Sequence, residues 1–392
     1  MSDRPALLVV AHRVPYPPDK GDRIRSYHLL KHLSRKARVH LATLADEPVP
    51  DEVRRHLESL CERVFIAPLT LTRWLRGLGS VALGRSITEG AFRSPAVARQ
   101  IQAWAAEKKY HAALATSSGV ASYLQRGNLA NVPAVVDLVD VDSRKWSDYS
   151  AVAGFPKSWI YRLEGKRLAK AERKIAGWAR ATTLVSEAEA ELFRESAPET
   201  RPIAVTNGVD LDYFRPQECE NGGLVFVGAF DYRPNVDAAV WFAKNVWPEV
   251  RERHPGLQWK IVGRNPSPAV RELAQLPGIE VTGAVADVRP YVHEAAIAIA
   301  PLRIARGLQN KVLEALALGK AVISSPPGLA GFRADIPAIA AREPREWIIA
   351  FDWLLNDANE RSRLGQAGRR FAEAYHDWDR CLQPFDELLG LA

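Results

Sequence analysis

The sequence has little cysteine and no long apolar run, and both absences exclude classes of protein. Its three cysteines, Cys61, Cys219 and Cys381, lie far apart, without the spacing of a disulfide framework or a zinc site. No stretch reaches the ~18 to 20 apolar residues of a membrane span, and the chain does not begin with a charged and then apolar signal segment. We find no internal repeat and no RNA-binding pattern. The sequence therefore predicts a cytosolic protein with reduced thiols that is not inserted in a membrane and binds no nucleic acid.

Length and charge narrow the prediction further. A chain of 392 residues, 47% of them apolar, is too long for one compact core and suits two domains of roughly 150 to 200 residues. The net charge of +7 and the isoelectric point near 9.3 favour anionic partners. We expect those partners to be phosphates and an anionic membrane face.

Strand-length apolar runs alternate with helical segments along the chain. The first series of predicted strands covers residues 7–11, 39–43, 113–116, 134–138 and 182–185. After a polar break at residues 218–223 a second series follows, at 224–227, 259–262, 280–282, 296–300 and 321–324. This βαβ order predicts an α/β protein with two parallel sheets.

The most informative segment is GLQNKVLEALALGKAVI, residues 307–323, which predicts a loop, a helix and a buried strand. Asn310, Lys311 and Glu314 would share the first turns of the helix. A helix N-terminus attracts anions through its unpaired N–H groups, and an ammonium beside it strengthens that attraction for a phosphate. Glu314 can accept hydrogen bonds from two adjacent ribose hydroxyls. The cluster predicts a nucleoside diphosphate site, although Lys311 and Glu314 alone would also fit an exposed helical ion pair.

This segment resembles the signature of retaining GT-B glycosyltransferases of the family 4 type. The resemblance implies two Rossmann-like domains facing across a cleft, with a C-terminal helix crossing back to the first. It places the acceptor-binding domain at residues 1–200, the donor-binding domain at 201–370 and the crossing helix at 371–392. Residues 14–30, with VDVDS at 139–143 and TTLVSEAEAELF at 182–193, look most like bacterial sugar transferases associated with exosortase (PEP-CTERM) exopolysaccharide systems.

The resemblance also implies roles for individual residues. The donor nucleotide would be bound by Gly21, Arg233, Val285, Gln309, Asn310, Lys311 and Glu314. The donor sugar would lie against Arg306, Gly307 and Leu308, and Arg306 stands where the family usually has a glutamate. Arg233 and Lys311 would stabilise the departing diphosphate without a metal ion. We therefore predict no cofactor and no metal.

Acceptor and catalytic roles are predicted for the first domain. Lys20, Arg23 and Arg25 would meet an anionic acceptor such as a lipid diphosphate, or would be ordinary surface charges. Asp140 and Asp142, after a predicted strand, would orient the acceptor hydroxyl or cap the following segment through local hydrogen bonds. No G-x-G-x-x-G pattern follows the first strand, which argues against a dinucleotide-binding dehydrogenase.

Three functions follow from these patterns. The leading one is a hexosyltransferase of the retaining type that moves a sugar from a nucleotide-sugar donor to a glycan or lipid-linked acceptor in exopolysaccharide synthesis. A non-catalytic GT-B-like binding subunit is the second, because Arg306 and Val139 stand where relatives place functional side chains. A nucleotide-sugar epimerase is the third.

A basic helix is predicted at residues 157–180. It carries eight lysines and arginines against Glu164 and Glu172, accompanied by Trp159 and Ile160. Such a helix can lie on anionic lipid or form a solvated outer face of the domain. The first alternative would make the protein peripheral at the inner face of the cell membrane.

Overall fold

The chain folds into two compact units. The computed structural model describes residues 4–19, 21–70, 73–217 and 222–391, so that Lys20, a predicted acceptor residue, and Cys219 lie outside the described part. The first unit comprises Met1–Thr206 with Leu382–Ala392, and the second comprises Asn207–Cys381. Among the described residues, no helix is both long and apolar enough to cross a bilayer.

The first unit is a doubly wound parallel sheet. Its described strands are β1 (Ala6–Ala11), β2 (Arg38–Ala45), β3 (Arg63–Pro68), β4 (Ala112–Thr116), β5 (Ala134–Val139), β6 (Ala181–Leu184) and β7 (Ile203–Ala204). They pair in the order β3-β2-β1-β4-β5-β6-β7. The helices are α1 (Gly21–Ser34), α2 (Asp51–Leu60), α3 (Arg73–Ala82), α4 (Ile87–Ala91), α5 (Pro95–Glu107), α6 (Ser118–Ala121), α7 (Asp142–Val152), α8 (Lys157–Trp178) and α9 (Glu187–Ser196).

The second unit repeats this plan. Its described strands are β8 (Leu224–Val227), β9 (Trp259–Val262), β10 (Ile279–Gly283), β11 (Ile297–Ala300), β12 (Ala321–Ser324) and β13 (Ile339–Ala340), in the order β10-β9-β8-β11-β12-β13. The helices are α10 (Arg233–Asn245), α11 (Trp247–Arg253), α12 (Pro268–Arg271), α13 (Arg289–Glu294), α14 (Asn310–Ala317), α15 (Pro326–Leu329) and α16 (Pro344–Asn356).

Burial on both faces explains the central strands. Every residue of β1, β4, β11 and β12 is buried, as expected where helices cover a parallel sheet on both sides. The core of the second unit contains large aromatic side chains, including Phe242, Trp259 and Trp347, whose rings meet edge to face. This burial produced the apolar runs from which the strands were predicted, and the predicted α/β class with two parallel sheets is confirmed.

Three strands were missed by the sequence analysis. All three, β3, β7 and β13, lie at a sheet edge. An edge strand is covered less completely, so its sequence need not be a continuous apolar run. Five of the six residues of β3, for example, are only partly buried or exposed.

The predicted C-terminal helical stretch is divided into three helices. They are α17 (Ala358–Tyr375), α18 (Trp378–Leu382) and α19 (Pro384–Leu389). The last of them belongs to the first unit, where His32 of α1 and Lys36, two residues after that helix, hold the carboxylate of Asp386 at 2.9 and 2.6 Å. The ring of Phe385 lies 5.8 Å from the Arg25 guanidinium.

The strand order defines where each sheet is open to a ligand. The chain reverses direction across the sheet between β1 and β4 in the first unit and between β8 and β11 in the second. The loops that leave the carboxyl ends of such neighbouring strands diverge and leave a crevice. Both sets of predicted site residues follow these strands or their neighbours.

Candidate functional site

Two helix N-termini meet at Lys311 in the second unit. Lys311 is the second residue of α14, and its ammonium donates a hydrogen bond to Oδ1 of Asn235 on α10. Nδ2 of Asn235 donates in turn to the carbonyl of Ala229 at 2.9 Å. A side chain at Gly228, just after β8, would begin 3.5 Å from the ammonium. The glycine therefore leaves the backbone open beside the charge.

The surroundings of Lys311 are apolar, which changes how it titrates. Its ammonium lies 5.1 Å from the ring centroid of Phe226, and with Glu314 it borders a small cavity walled by Val227 and Val288. Burial lowers the pKa of Lys311 to about 8, against the opposing charge of Glu314. Burial likewise raises the pKa of Glu314 to about 7, with Lys311 opposing. An anion bound here would supply a negative counter-charge and so stabilise the charged form of Lys311.

A second cation stands at the start of α10. Arg233 is the first residue of that helix and is exposed, two positions before Asn235. The helix N-terminus adds roughly half a positive charge. Because the same helix positions Lys311 through Asn235, the first turn of α10 carries both the open guanidinium and the partner of the buried ammonium.

The loop before α14 is tightly packed. Nε2 of Gln309 donates to the carbonyl of Arg306 at 2.8 Å, and Gly307 has a φ of 59° that favours glycine. A Cβ at Gly331 would lie 2.3 Å from the Gly307 carbonyl oxygen, so only glycine fits there. Leu308 is buried and Arg306 partly buried.

Asn310 and Val285 complete the predicted nucleotide residues. Oδ1 of Asn310, the first residue of α14, accepts a hydrogen bond from Asn207 at 3.5 Å. Val285 is partly buried on the loop after β10 and packs against the core near α14. At the start of α13, the guanidinium of Arg289 lies 3.7 Å from the ring centroid of Tyr213 and donates a hydrogen bond to Asp287.

The carboxyl edge of the first sheet carries backbone strain. Ser117 follows β4 with a φ of 94°, and Val139 ends β5 with a φ of 67°. A positive φ is costly for a side chain and most of all for a β-branched one. Strain of this kind collects at functional sites, where the surrounding structure over-determines it.

Two buried carboxylates hold the segment after Val139. Glu189 of α9 accepts a hydrogen bond from the N–H of Val141 at 2.8 Å. Glu172 of α8 accepts from the N–H of Ser143 at 3.0 Å and also from its hydroxyl. The backbone capping that we had considered for Asp140 and Asp142 is thus provided by Glu172 and Glu189.

The carboxyl groups at this edge have raised pKa values, so they ionise at a higher pH than usual. Burial raises the pKa of Asp140 to about 7, and the negative charges of Glu189 and Asp142 raise it further. Burial also raises the pKa of Asp142 and that of Glu172, the latter to about 7. A carboxyl group that titrates near neutrality can exchange a proton with a bound hydroxyl.

Several polar atoms at this edge have no hydrogen-bond partner among the described residues. They are Oγ1 of Thr116, Oγ of Ser118 and Oδ1 of Asp140. All three are buried, and they follow the neighbouring strands β4 and β5 or end them. Buried polar groups are nearly always paired, so this cluster is suited to a ligand that brings hydroxyl groups.

The basic residues predicted to meet the acceptor are placed differently from one another. Gly21 begins α1, and a Cβ there would meet nothing within 4 Å. Arg23 is buried, and its guanidinium lies 3.3 Å from the carboxylate of the exposed Asp19. Asp46 and Glu47 also pair with Arg23.

Arg25 occupies an internal position. Its guanidinium is only 1% exposed and forms two hydrogen bonds to the carboxylate of Asp137, at 2.7 and 2.9 Å, and one to the carbonyl of Val205 at 2.8 Å. Thr183 donates to the same carboxylate at 2.7 Å. This burial argues against the acceptor contact that we predicted for Arg25, because its guanidinium is bonded to Asp137 and Val205 inside the fold.

The structure brings together some predicted residues and adds others. Lys311 and Glu314 border one cavity, next to the helix that begins with Arg233. The sequence analysis missed Asn235, Glu172 and Glu189, whose partners lie on other elements. Only the asparagine near a helix start, in RPNVDA, was a usable signal. Among the described residues, no group of three or more His, Cys, Asp or Glu is arranged to hold a metal ion.

A family model matches part of the second unit in sequence. Residues 221–357 match the family model described as glycosyl transferases group 1. None of the curated proteins matches the chain in sequence.

Solved structures are similar to nearly the whole chain. Sucrose-phosphate synthase from Thermosynechococcus elongatus is 17% identical, covers 98% of each chain and superposes with a TM-score of 0.70. Anabaena Alr3699/HepE in complex with UDP is 13% identical, covers 99% of this chain and 100% of its own, and has a TM-score of 0.69. TarM is 9% identical over 98% of each chain, with a TM-score of 0.70. At these identities the likeness shows the fold, which is the two-domain α/β fold of GT-B glycosyltransferases.

Proposed function

We propose that the protein is a glycosyltransferase that moves a sugar from a nucleoside diphosphate-sugar to a hydroxyl of a glycan or lipid-linked acceptor. The transfer retains the anomeric configuration and uses no metal ion. The protein acts in the synthesis of an extracellular or cell-surface polysaccharide, on the cytoplasmic side of the cell membrane. The narrower assignment to family 4 and to exosortase-associated systems rests on the sequence resemblance alone.

The observation that carries this proposal is Lys311, which is partly buried between two helix N-termini. A diphosphate carries more than one negative charge, and each needs a partner. This unit provides the ammonium of Lys311, the exposed guanidinium of Arg233 and the N–H groups at the starts of α10 and α14. The family match covers these residues. Glu314, close to Lys311, would accept hydrogen bonds from the hydroxyls of the ribose. The loop at Arg306, Gly307 and Leu308 would face the donor sugar.

The bond changes define what the residues must do. The bond between the anomeric carbon and the diphosphate oxygen breaks, and the acceptor oxygen attacks on the same face. The acceptor proton passes to an oxygen of the leaving diphosphate. Negative charge therefore grows on the diphosphate, and Lys311 and Arg233 would stabilise that charge as it develops.

The acceptor is proposed to bind at the carboxyl edge of the first sheet. The unpartnered atoms of Thr116, Ser118 and Asp140 are suited to hydroxyl groups. Asp140 or Asp142 would orient the attacking hydroxyl, with the loop held by Glu172 and Glu189. TarM of S. aureus has been solved with α-GlcNAc-glycerol and UDP, which supports a hydroxyl acceptor for a protein of this fold.

A panel of donors tests the proposal directly. UDP, GDP and ADP and their common sugars would be titrated calorimetrically into the wild type and Lys311→Ala, with and without Mg²⁺. We expect one nucleotide class to bind the wild type without Mg²⁺ and to bind the variant at least about tenfold more weakly. Product anomers followed by NMR would then report retention or inversion. Failure of every nucleotide to bind would reject the donor site.

The other two functions are outcomes of the same experiment. Nucleotide binding without turnover on any hydroxyl acceptor would favour the non-catalytic subunit. Release of an altered nucleotide-sugar without an acceptor would favour the epimerase. Requirement for Mg²⁺ would contradict metal-independent transfer while leaving the donor class in place.

A further inference from the structure

Helix α3 of the first unit is amphipathic, but its leucine side chains face the solvent instead of the core of the unit. Leu75 and Leu78 on this helix are 69% and 63% exposed, and Leu83 in the turn that follows is 70% exposed. Gly77 and Ser80, on the opposite side, are buried. Two exposed leucines on one side of a helix, with a third just after it, are unlike the scattered apolar residues of an ordinary surface.

The inverted orientation is built into the packing. A Cβ at Gly77 would lie 2.9 Å from a methyl group of Ile87, and one at Gly90 would lie 2.6 Å from both the carbonyl oxygen of Arg76 and Oγ of Ser80. The backbones of α3 and α4 therefore approach so closely that only small residues fit between them. Leucine side chains would not fit into the contact between α3 and α4. The leucine-bearing face of α3 therefore points away from the unit.

Helix α8 supplies a cationic surface beside α3. The helix contains seven basic residues and two acidic ones, and an eighth basic residue, Arg180, follows it. Both acids are turned inward: Glu164 accepts hydrogen bonds from the N–H groups of Ile87 and Thr88 at 2.7 and 2.9 Å, and Glu172 holds Ser143. The outer face of α8 is left with exposed cations, among them Lys166 and Lys170.

The two features adjoin through α4 and its preceding turn. Arg167 of α8 donates to the carbonyl of Arg85 at 2.9 Å, two residues after Leu83. At the start of α8, Phe155 is 88% exposed, Trp159 61% and Ile160 40%. Exposed aromatic and aliphatic side chains thus stand next to a dense positive charge, an arrangement that matches the boundary between lipid headgroups and acyl chains.

We propose that this α3–α8 surface, consisting of Leu75, Leu78, Leu83, Phe155, Trp159, Ile160 and the exposed cations of α8, docks the protein on an anionic lipid bilayer. The leucines and aromatic side chains enter the interface, and the lysines and arginines pair with lipid phosphates. This inference names the surface that the membrane location in the proposed function requires. Its test needs no donor or acceptor, so a failure here leaves the transfer activity open, and a failure of transfer leaves this surface open.

Vesicle flotation of the full chain tests the docking. Vesicles of phosphatidylcholine alone would be compared with vesicles that also contain phosphatidylglycerol. We expect binding to the anionic vesicles only, weakened by added salt. Leu75→Ser with Leu78→Ser should reduce the partition coefficient about tenfold, and Lys166→Glu with Lys170→Glu should reduce it by tenfold or more.

Matched controls come from the second unit. Ile349 and Trp353 of α16 are 59% and 49% exposed, so Ile349→Ser with Trp353→Ser removes similar exposed apolar surface. Lys244→Glu with Arg345→Glu makes the same change of charge on exposed positions of that unit. Both control pairs should bind vesicles as the wild type does.

Four results would overturn the proposal. They are no binding to anionic vesicles, equal binding to neutral ones, no difference between the α3–α8 variants and their controls, and a concentration-dependent oligomer that the leucine variants abolish without vesicle binding. The last result would assign the surface to a second copy of the chain. Circular dichroism of each variant checks that it is folded.

Discussion

The carboxyl edges of the two sheets have the same topology and opposite chemistry. In the second unit the edge carries a partly buried ammonium and an exposed guanidinium at helix starts, with asparagine and glycine around them. In the first unit it carries buried carboxyl groups, two strained non-glycine residues and polar atoms without partners. One edge is suited to an anion and the other to hydroxyl groups.

The two edges differ in the partner that the fold gives to the cation: a neutral amide in the second unit and a carboxylate in the first. Lys311 of the second unit has a neutral partner, Asn235, and a pKa lowered by burial, so its charge is available to a ligand. Arg25 of the first unit is paired with Asp137 and the Val205 carbonyl, so its charge is used within the fold. Cations with similar sequence surroundings, near the start of a helix after a strand, therefore serve binding in one unit and stability in the other.

The largest expected effect comes from breaking the stabilising role of Arg25. Arg25→Met leaves the Asp137 carboxylate buried without its cation, and removing one partner of such a pair costs about 3 to 5 kcal/mol. Denaturant unfolding should show this loss. Arg25→Met combined with Asp137→Asn should recover part of it, and the exposed Arg233→Met should change stability by less than about 0.5 kcal/mol. A loss below about 1 kcal/mol for Arg25→Met would contradict the structural role.

The opposite pattern is expected for the second unit. Lys311→Ala should lower kcat/KM about 100-fold, because the developing charge on the diphosphate loses its ammonium. The free energy of unfolding should not fall, since a buried charge is removed with it. Lys244→Ala, an exposed lysine on α10, serves as the control. Near-normal activity of Lys311→Ala with the identified donor would rule out this site.

The pH dependence of nucleotide binding sharpens the comparison. The pKa of Lys311 is about 8 without ligand, and a bound diphosphate would raise it by favouring the ammonium. The part of the affinity that depends on the Lys311 ammonium should therefore be constant below about pH 8 and fall above it, by at most about tenfold per pH unit. Calorimetry between about pH 7 and pH 9 checks this. Lys311→Ala should show no such fall; an equal slope in the variant would assign the titration to another group.

The last effect is on stability and concerns Asp140. Its pKa is raised to about 7 from an ordinary value of 3.8, so the folded state binds a proton that the unfolded state has lost. Wild-type stability is then lost progressively as pH rises from about 4 to 7, and Asp140→Asn lacks this loss. Relative to the wild type, the variant should gain roughly 1 to 3 kcal/mol between about pH 5 and pH 8. Thermal unfolding at the two pH values measures the gain, with the exposed Asp212→Asn as control.

Much of the fold was predictable because central strands are buried on both faces. Their apolar runs are visible without an alignment, and all ten predicted strands are present. The segment at residues 307–323 was equally informative, since loop, helix and strand signals follow one another there. The edge strands β3, β7 and β13 were not predicted, and neither was the division of the C-terminal stretch into α17, α18 and α19, because those features depend on what packs beside them.

By itself the sequence determined the α/β class, the two parallel sheets and the position of Lys311 and Glu314 at the start of a helix, because each of these follows from local periodicity and helix-start residues. Only the tertiary structure decided which charges remain available. It paired Arg25 with Asp137, residues distant in the chain, gave Lys311 the neutral partner Asn235, and turned the leucines of α3 outward. Burial and pairing depend on contacts between distant segments, and local sequence patterns do not encode those contacts.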